Sequence, residues 1–307
     1  MRPARLVTVT ATDGLMLPGL FFEPDKGSKR AAIWLHGMGS SGSFYPVTHT
    51  NALARELTDS GIAFLALNNR GAGNLQGVKY LTDNGDKLKR IQGTTHELIA
   101  ECVFDVDGAL EFARSEGYSE FFLLGHSTGA NKVVLYNYLK PNSVFAGYVV
   151  YGGGDDTGLF YEQLGPAGYK KALLAAKSKI RAGQGESLAP VDLVGDYFSY
   201  QSLLDILDPD GGYNTFPYFE YQSGIRLGRK ELFREFKSIH RPTLVVYGEQ
   251  DEYCKPSAAA CEKILGTVAT DSKCFTFKLI AGGDHSCYRH EDELARVVAG
   301  WAASVTI

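Results

Sequence analysis

A chain of 307 residues that is 44% hydrophobic and 21% charged, with a formal net charge of −4, has the composition of an ordinary globular protein with a sizeable core. The weak acidic balance and the broken basic stretches Lys87 to Arg90 and Arg226 to Arg234 exclude the continuous basic face that nucleic acid requires, and no apolar run approaches a membrane span. Met1 to Arg5 leads straight into a strand pattern, so no targeting segment is expected, and five cysteines without C-x-x-C spacing read as reduced thiols of a cytoplasmic protein.

Two short antiparallel strands are expected at Leu6 to Thr10 and Leu17 to Phe22, around a turn at Asp13-Gly14. Strand and helix patterns then alternate, the mark of a parallel sheet covered on both faces. The next strand, Ala31 to Leu35, runs into His36-Gly37-Met38-Gly39-Ser40-Ser41-Gly42. From Gly37 to Gly42 the string fits G-x-G-x-x-G, the opening of a dinucleotide site. The following strand, Ala63 to Leu67, ends in Asn68-Asn69-Arg70, where a ribose would want an acidic residue and an Arg would suit at most a 2′-phosphate. An NADP-dependent oxidoreductase is therefore the weakest alternative, and no cofactor is expected. Helices are expected at Asn51 to Leu57 and Glu97 to Arg114.

The strand Phe121 to Leu124 gives way to a helix, Asn131 to Leu139, across Gly125-His126-Ser127-Thr128-Gly129. A serine on such a sharp turn is lifted off the end of the sheet, and the flanking glycines remove Cβ atoms that would collide with the neighbouring strand and helix. After a strand at Ala146 to Tyr151 the alternation breaks. Between Asp155 and Arg241 no buried strand pattern appears, only helical pieces at Gly168 to Ala182 and Arg229 to Phe236 among many aromatics. That length is too great for a loop, so residues 155–241 are expected to form an inserted helical cap between core segments 1–154 and 242–307. Strands resume at Thr243 to Tyr247 and Phe275 to Ile280, with helices at Ser257 to Leu265 and Glu291 to Ala302.

An acyl-transfer serine needs a base and a group to orient that base. Asp251 follows one late strand in Tyr247-Gly248-Glu249-Gln250-Asp251, and His285 follows the last in Gly282-Gly283-Asp284-His285-Ser286. Glu249 is a competing acid, and His36, His49, His96, His126, His240 and His290 are competing bases. Only His285 combines a late position with a preceding strand. His36 and His126 read as supports of the glycine-rich loop and the elbow, Arg70 as a brace of its own turn. The donors for a developing oxyanion are expected to be the backbone N–H of Thr128, at the positive end of its helix, and that of Met38. His285 and His290 lack the spacing of a zinc helix and the cysteines are scattered, so no metal is expected.

Four motifs in order, His36-Gly37, Asn69-Arg70-Gly71-Ala72-Gly73, the elbow around Ser127 and the Asp251/His285 pair, make the chain resemble serine hydrolases of the α/β-hydrolase superfamily over nearly all of its length outside the cap. The stretch Gly125 to Val133 is also similar to a subgroup that includes siderophore-ester hydrolases. The resemblance implies an α/β fold, a mostly parallel, doubly wound sheet with an inserted helical cap, acting as a carboxylesterase-like enzyme on a small-molecule ester. A thioesterase, amidase or lactonase would use the same parts, and a non-hydrolytic receptor could keep the same pocket. The cap aromatics Phe160, Tyr161, Tyr197, Phe198, Tyr200, Tyr213, Phe216, Tyr218, Phe219 and Tyr221 are by default packing residues, some of which are expected to line the substrate pocket.

Overall fold

A computed structural model describes residues 3–41 and 47–306. Its elements are β1 (Arg5–Thr10), β2 (Met16–Phe22), β3 (Arg30–Leu35), α1 (Val47–Asp59), β4 (Ile62–Leu67), β5 (Gln76–Leu81), β6 (Lys87–Gln92), α2 (Cys102–Ser115), β7 (Glu120–His126), α3 (Thr128–Leu139) and β8 (Phe145–Tyr151). There follow α4 (Asp156–Arg181), α5 (Val191–Val194), α6 (Tyr200–Leu207), α7 (Tyr218–Ser223), α8 (Arg234–Lys237), β9 (Thr243–Gly248), α9 (Ala258–Val268), β10 (Phe275–Ile280) and α10 (Glu291–Ser304).

Eight strands form one sheet in the order β1-β2-β4-β3-β7-β8-β9-β10. The first two pairings are antiparallel and all the others parallel. The inner strands are buried almost throughout, as unbroken apolar runs must be when helices cover both faces. Ile33 and Leu35 point into a core closed by α2, α3 and α9. Ala32 and Trp34 point into a second core closed by α1 and α10. All eight expected strands are present, and the parallel, doubly wound architecture is the expected one.

Three local expectations need correction. The hairpin β5–β6 was not expected, because its residues are mostly exposed and offer no apolar run; its one local signal is Asn84-Gly85, with Gly85 at φ 84°. The helix expected over Arg229 to Phe236 shrinks to the single turn of α8. Asp210 Oδ1 takes the backbone N–H groups of Arg229 and Lys230 at 2.5 and 2.7 Å, and Phe233 adopts φ 58°. Finally, α4 begins at Asp156, well before the expected Gly168. It is interrupted at Gly165 (φ 67°) and restarts at Pro166, which is tolerated there because the N–H of a first-turn residue has no intrahelical acceptor, so none of the helix's bonds is lost.

The helices α4 to α8 occupy the insertion between β8 and β9. Tyr169, Phe198, Leu203, Ile206 and Tyr213 form their own core, which reaches down to Ile99, in the turn before α2, and Leu135 of α3. Asp155 starts α4 by accepting the N–H of Gly158 and also pins Phe219 N–H, each at 2.7 Å. Burial pushes that carboxyl up to about 7.

Candidate active site

Ser127 stands between β7 and α3 at φ 56°, ψ −129°, a conformation that strains any residue with a Cβ. Its N–H donates to Tyr151 O at 2.9 Å on β8, so the neighbouring strand fixes the turn. A Cβ on Gly125 would strike Gly129 O, one on Gly129 would strike Leu35 O, and one on Gly37 would come within 2.7 Å of Ser127 Cβ. The glycines are thus dictated by close approach of three segments at one sheet edge.

Asp251 and His285 meet there too. His285 Nδ1 lies 2.9 Å from Asp251 Oδ2 and 3.1 Å from Oδ1. The carboxylate is buried and the ring is only 12% exposed. The His285 backbone is held twice: its N–H donates to Glu252 Oε2 at 3.0 Å, and its carbonyl accepts from His126 Nε2 at 2.9 Å. His126, stacked on Tyr151 with ring centroids 4.3 Å apart, is held neutral well below its ordinary range by burial. It therefore ties the serine turn to the histidine loop. Of the other candidates, Glu249 accepts Gly282 N–H and braces the end of β10. Burial lowers His36 to about 3 and His49 to about 4. His96 contacts Glu186 and does not line the cavity of the serine, and His240 is exposed.

The loop after β3 is built from polar contacts. His36 Nδ1 donates to Gly37 O, Gly39 N–H donates to Thr94 Oγ1 at 2.6 Å, and Thr94 Oγ1 donates to Gly71 O. Among the described residues, neither Met38 N–H nor Thr128 N–H is engaged in a hydrogen bond. Gly42 lies outside the described residues. Beneath the loop, Lys132 of α3 is buried against Glu97 and Asn69 Oδ1, and Asn69 Nδ2 reaches His36 O. Arg70 does more than hold its own turn: fully buried, it joins Asp105 and Glu101 near α2 to Asp13 in the β1–β2 turn. Lys132→Met is expected to destabilise the fold by about 3–5 kcal/mol, because Glu97 is left charged and buried. Adding Glu97→Gln should recover much of that loss in chemical denaturation; no recovery would mean that the stem of Lys132 matters more than its charge.

A cavity of about 490 Å³ joins these parts. Ser127, His126 and His285 form one wall with Met38 and Thr128, and the insertion contributes Asp156, Leu159, Phe160, Gln163 and Asp196. Phe160 is the one residue of the ten aromatics above that lines it. Phe198, Tyr213 and Phe216 are packed inside, and Tyr161 sits on Tyr169 and Phe219. Among the described residues no group of three or more His, Cys, Asp or Glu could hold a metal ion, and no helix is long and apolar enough to cross a membrane.

Residues 27–293 match the model of the family described as Serine aminopeptidase, S33. The chain belongs to this hydrolase family. No curated protein matches it by sequence. Among solved structures, this family member is similar to Est1E from Butyrivibrio proteoclasticus with ferulic acid bound, at 16% identity over 97% of this chain and 99% of that one, TM-score 0.59. It is also similar to a monoacylglycerol lipase of Paleococcus ferrophilus (18% identity, 94% and 99% covered, TM-score 0.58) and to a thermostable carboxyl esterase from Bacillus coagulans in complex with glycerol (12% identity, 100% of both chains, TM-score 0.64). At such identities the likeness establishes the α/β-hydrolase fold, as the four motifs implied.

Several residues of the serine aminopeptidase family member's cavity carry no sequence signal. Tyr253, two residues after Asp251, lies edge-on to His285 with ring centroids 4.7 Å apart. Gln163 and Asp196 come from the insertion and meet the serine only through the tertiary fold. Asn131 was visible in the motif after the elbow, and its amide binds Gly154 O and Tyr213 O, which couples α3 to the insertion.

Proposed function

We propose that the chain is a serine hydrolase of the carboxylesterase type. Ser127 is the nucleophile, His285 the general base and then acid, and Asp251 the carboxylate that fixes the tautomer and stabilises the imidazolium. The N–H groups of Met38 and Thr128 receive the oxyanion. One observation carries the reading: a serine held at φ 56° on a strand-to-helix turn shares its cavity with an imidazole whose Nδ1 is bound by a buried carboxylate. That bond places the Nδ1 proton toward Asp251 and leaves Nε2 free to accept the serine proton.

As Ser127 Oγ attacks the ester carbonyl, its proton passes to His285. The tetrahedral oxyanion collapses, the alcohol leaves with the proton returned by His285, and water resolves the acyl-enzyme by the same route. No cofactor enters these steps. Ester cleavage is supported by the hydrolase family and by the similarity to a monoacylglycerol lipase and a carboxyl esterase. Amide cleavage is the second reading, favoured by the aminopeptidase in the family's description. A matched pair of ester and anilide with one acyl group decides between them, read as kcat/KM; turnover of either removes the receptor reading, and titration with nicotinamide cofactor tests the oxidoreductase one.

We place the segment 155–241 as a cap over the serine, a reading supported by its five lining residues, and the enzyme in the cytoplasm, where five free thiols are at home. Phe160→Ala should lower kcat/KM for esters of bulky acids about tenfold more than for an aryl acetate, since a small acyl group has less surface to lose on that ring. Equal losses on both would assign Phe160 to packing against Phe198.

A further inference from the structure

Asp156, the first residue of α4, lines the same cavity as Ser127, and ester hydrolysis as proposed gives it nothing to do. The adjacent acid makes the contrast. Both oxygens of Asp155 are committed to backbone N–H groups, of Gly158 and Phe219. Asp156 is half-buried and binds no backbone N–H among the described residues; its enclosed Oδ2 has only the Thr128 hydroxyl beside it, a weak contact in which neither atom is at full hydrogen-bond distance of a partner. Carboxylate oxygens in such settings are nearly always paired, and the other oxygen of Asp156 is neither enclosed nor bonded among the described residues, so a half-buried carboxyl lining the cavity is open to a donor from the ligand. The setting agrees in sign. Burial pushes the Asp156 carboxyl up to about 6, while His285, the Thr128 hydroxyl and Lys132 pull it back, so an accepting carboxylate is present at neutral pH. The cavity lining includes a second acid, Asp196, and no Lys or Arg among the described residues, so an anionic group on a substrate would face two carboxyls without compensation.

We propose that Asp156 is a specificity-determining residue: its carboxylate accepts a hydrogen bond from a hydroxyl or ammonium group of the substrate, so the site selects esters that carry such a donor and rejects those that carry a second carboxylate. The inference rests on the Ser127 hydrolase reading. The geometry leaves Asp156 within the insertion, beside the residue that follows the nucleophile, where it meets the substrate without taking part in the bond-making steps.

The test uses pairs that differ only in a donor. On the acyl side these are 4-nitrophenyl esters of cyclohexanecarboxylic acid, its trans-4-hydroxy and trans-4-amino derivatives, and the trans-1,4-dicarboxylic acid monoester. On the alcohol side they are propyl butyrate and glycerol monobutyrate. Each enzyme is scored by the ratio of kcat/KM within a pair, so a general loss of activity cancels. The wild type should favour a donor-bearing member by about ten- to a hundredfold on at least one side and disfavour the dicarboxylic monoester. Asp156→Ala should bring that ratio close to one. Asp156→Asn, nearly isosteric, should lose preference for the ammonium and keep part of any preference for the hydroxyl, which separates the two donors. No donor preference in the wild type on either side overturns the proposal. So does a preference that survives Asp156→Ala or, if that variant does not fold, an ammonium preference that survives Asp156→Asn. Turnover of the donor-free esters by Ser127→Ala at about a hundredth of the wild-type rate or more would instead overturn the Ser127 hydrolase reading itself.

Discussion

Ser127→Ala is expected to lower kcat on any ester by about 10⁶, the scale of nucleophile loss in a serine protease, and to abolish labelling by a fluorophosphonate. The fold should be indifferent to the change. Alanine bears the same Cβ at φ 56° as serine does, so backbone strain is unaltered, and the bond from residue 127 N–H to Tyr151 O remains. The thermal midpoint should therefore stay within a few degrees of wild type, which makes the loss of activity chemical in origin. A folded, purified variant that retained even a hundredth of the wild-type rate would remove Ser127 from the nucleophile's place. Residual activity above the uncatalysed rate is still expected, because the unengaged N–H groups of Met38 and Thr128 can go on polarising a bound carbonyl.

Sequence carried the sheet because burial on both faces forces a legible pattern. Runs such as Ala31 to Leu35 and Thr243 to Tyr247 have to be apolar throughout. The elbow was legible for a related reason: Gly37, Gly125 and Gly129 stand where three backbones crowd together, and no other residue fits. The β5–β6 hairpin left no such trace, since exposed strands place no demand on residue type. In α4 the pair Gly165-Pro166 hid a helix on its N-terminal side by resembling a boundary. The candidate histidines differ mainly in burial and partners, which a linear pattern does not record: His36, His49 and His126 are enclosed, while His285 alone combines a carboxylate partner with a place in the cavity. For the same reason Asp155 and Asp156 are equivalent in sequence, and only the tertiary fold shows that one is spent on backbone and the other is not. Residues at the edge of the sheet were readable because backbone geometry constrains them; Gln163, Asp196 and Tyr253 reach the cavity across gaps in the chain that nothing local encodes.

Asp251→Asn is expected to cost about 10⁴ in kcat, the loss seen when a protease triad acid becomes an amide. An amide at this position can donate a proton to His285 Nδ1, which favours the tautomer with the proton on Nε2, the nitrogen that must be bare to accept from Ser127. The structural contacts survive the exchange: Tyr253 N–H, now bound by Asp251 Oδ1 at 3.0 Å, can donate to the Asn carbonyl instead. Glu249→Gln is the matched control. Its Oε2 accepts only Gly282 N–H at the end of β10, and a Gln oxygen can do the same, so activity should change less than about threefold, within the small range typical of exposed substitutions. Wild-type kcat/KM should fall on the acid side, because an imidazole already protonated by solvent has no lone pair for the serine proton. The sign is fixed by the role: a base must be neutral to act, so lowering the pH can only deplete the active form. A small effect of Asp251→Asn together with a large one of Glu249→Gln would move the orienting role to Glu249, and would require the histidine loop to rearrange from the 2.9 Å contact that Asp251 now makes.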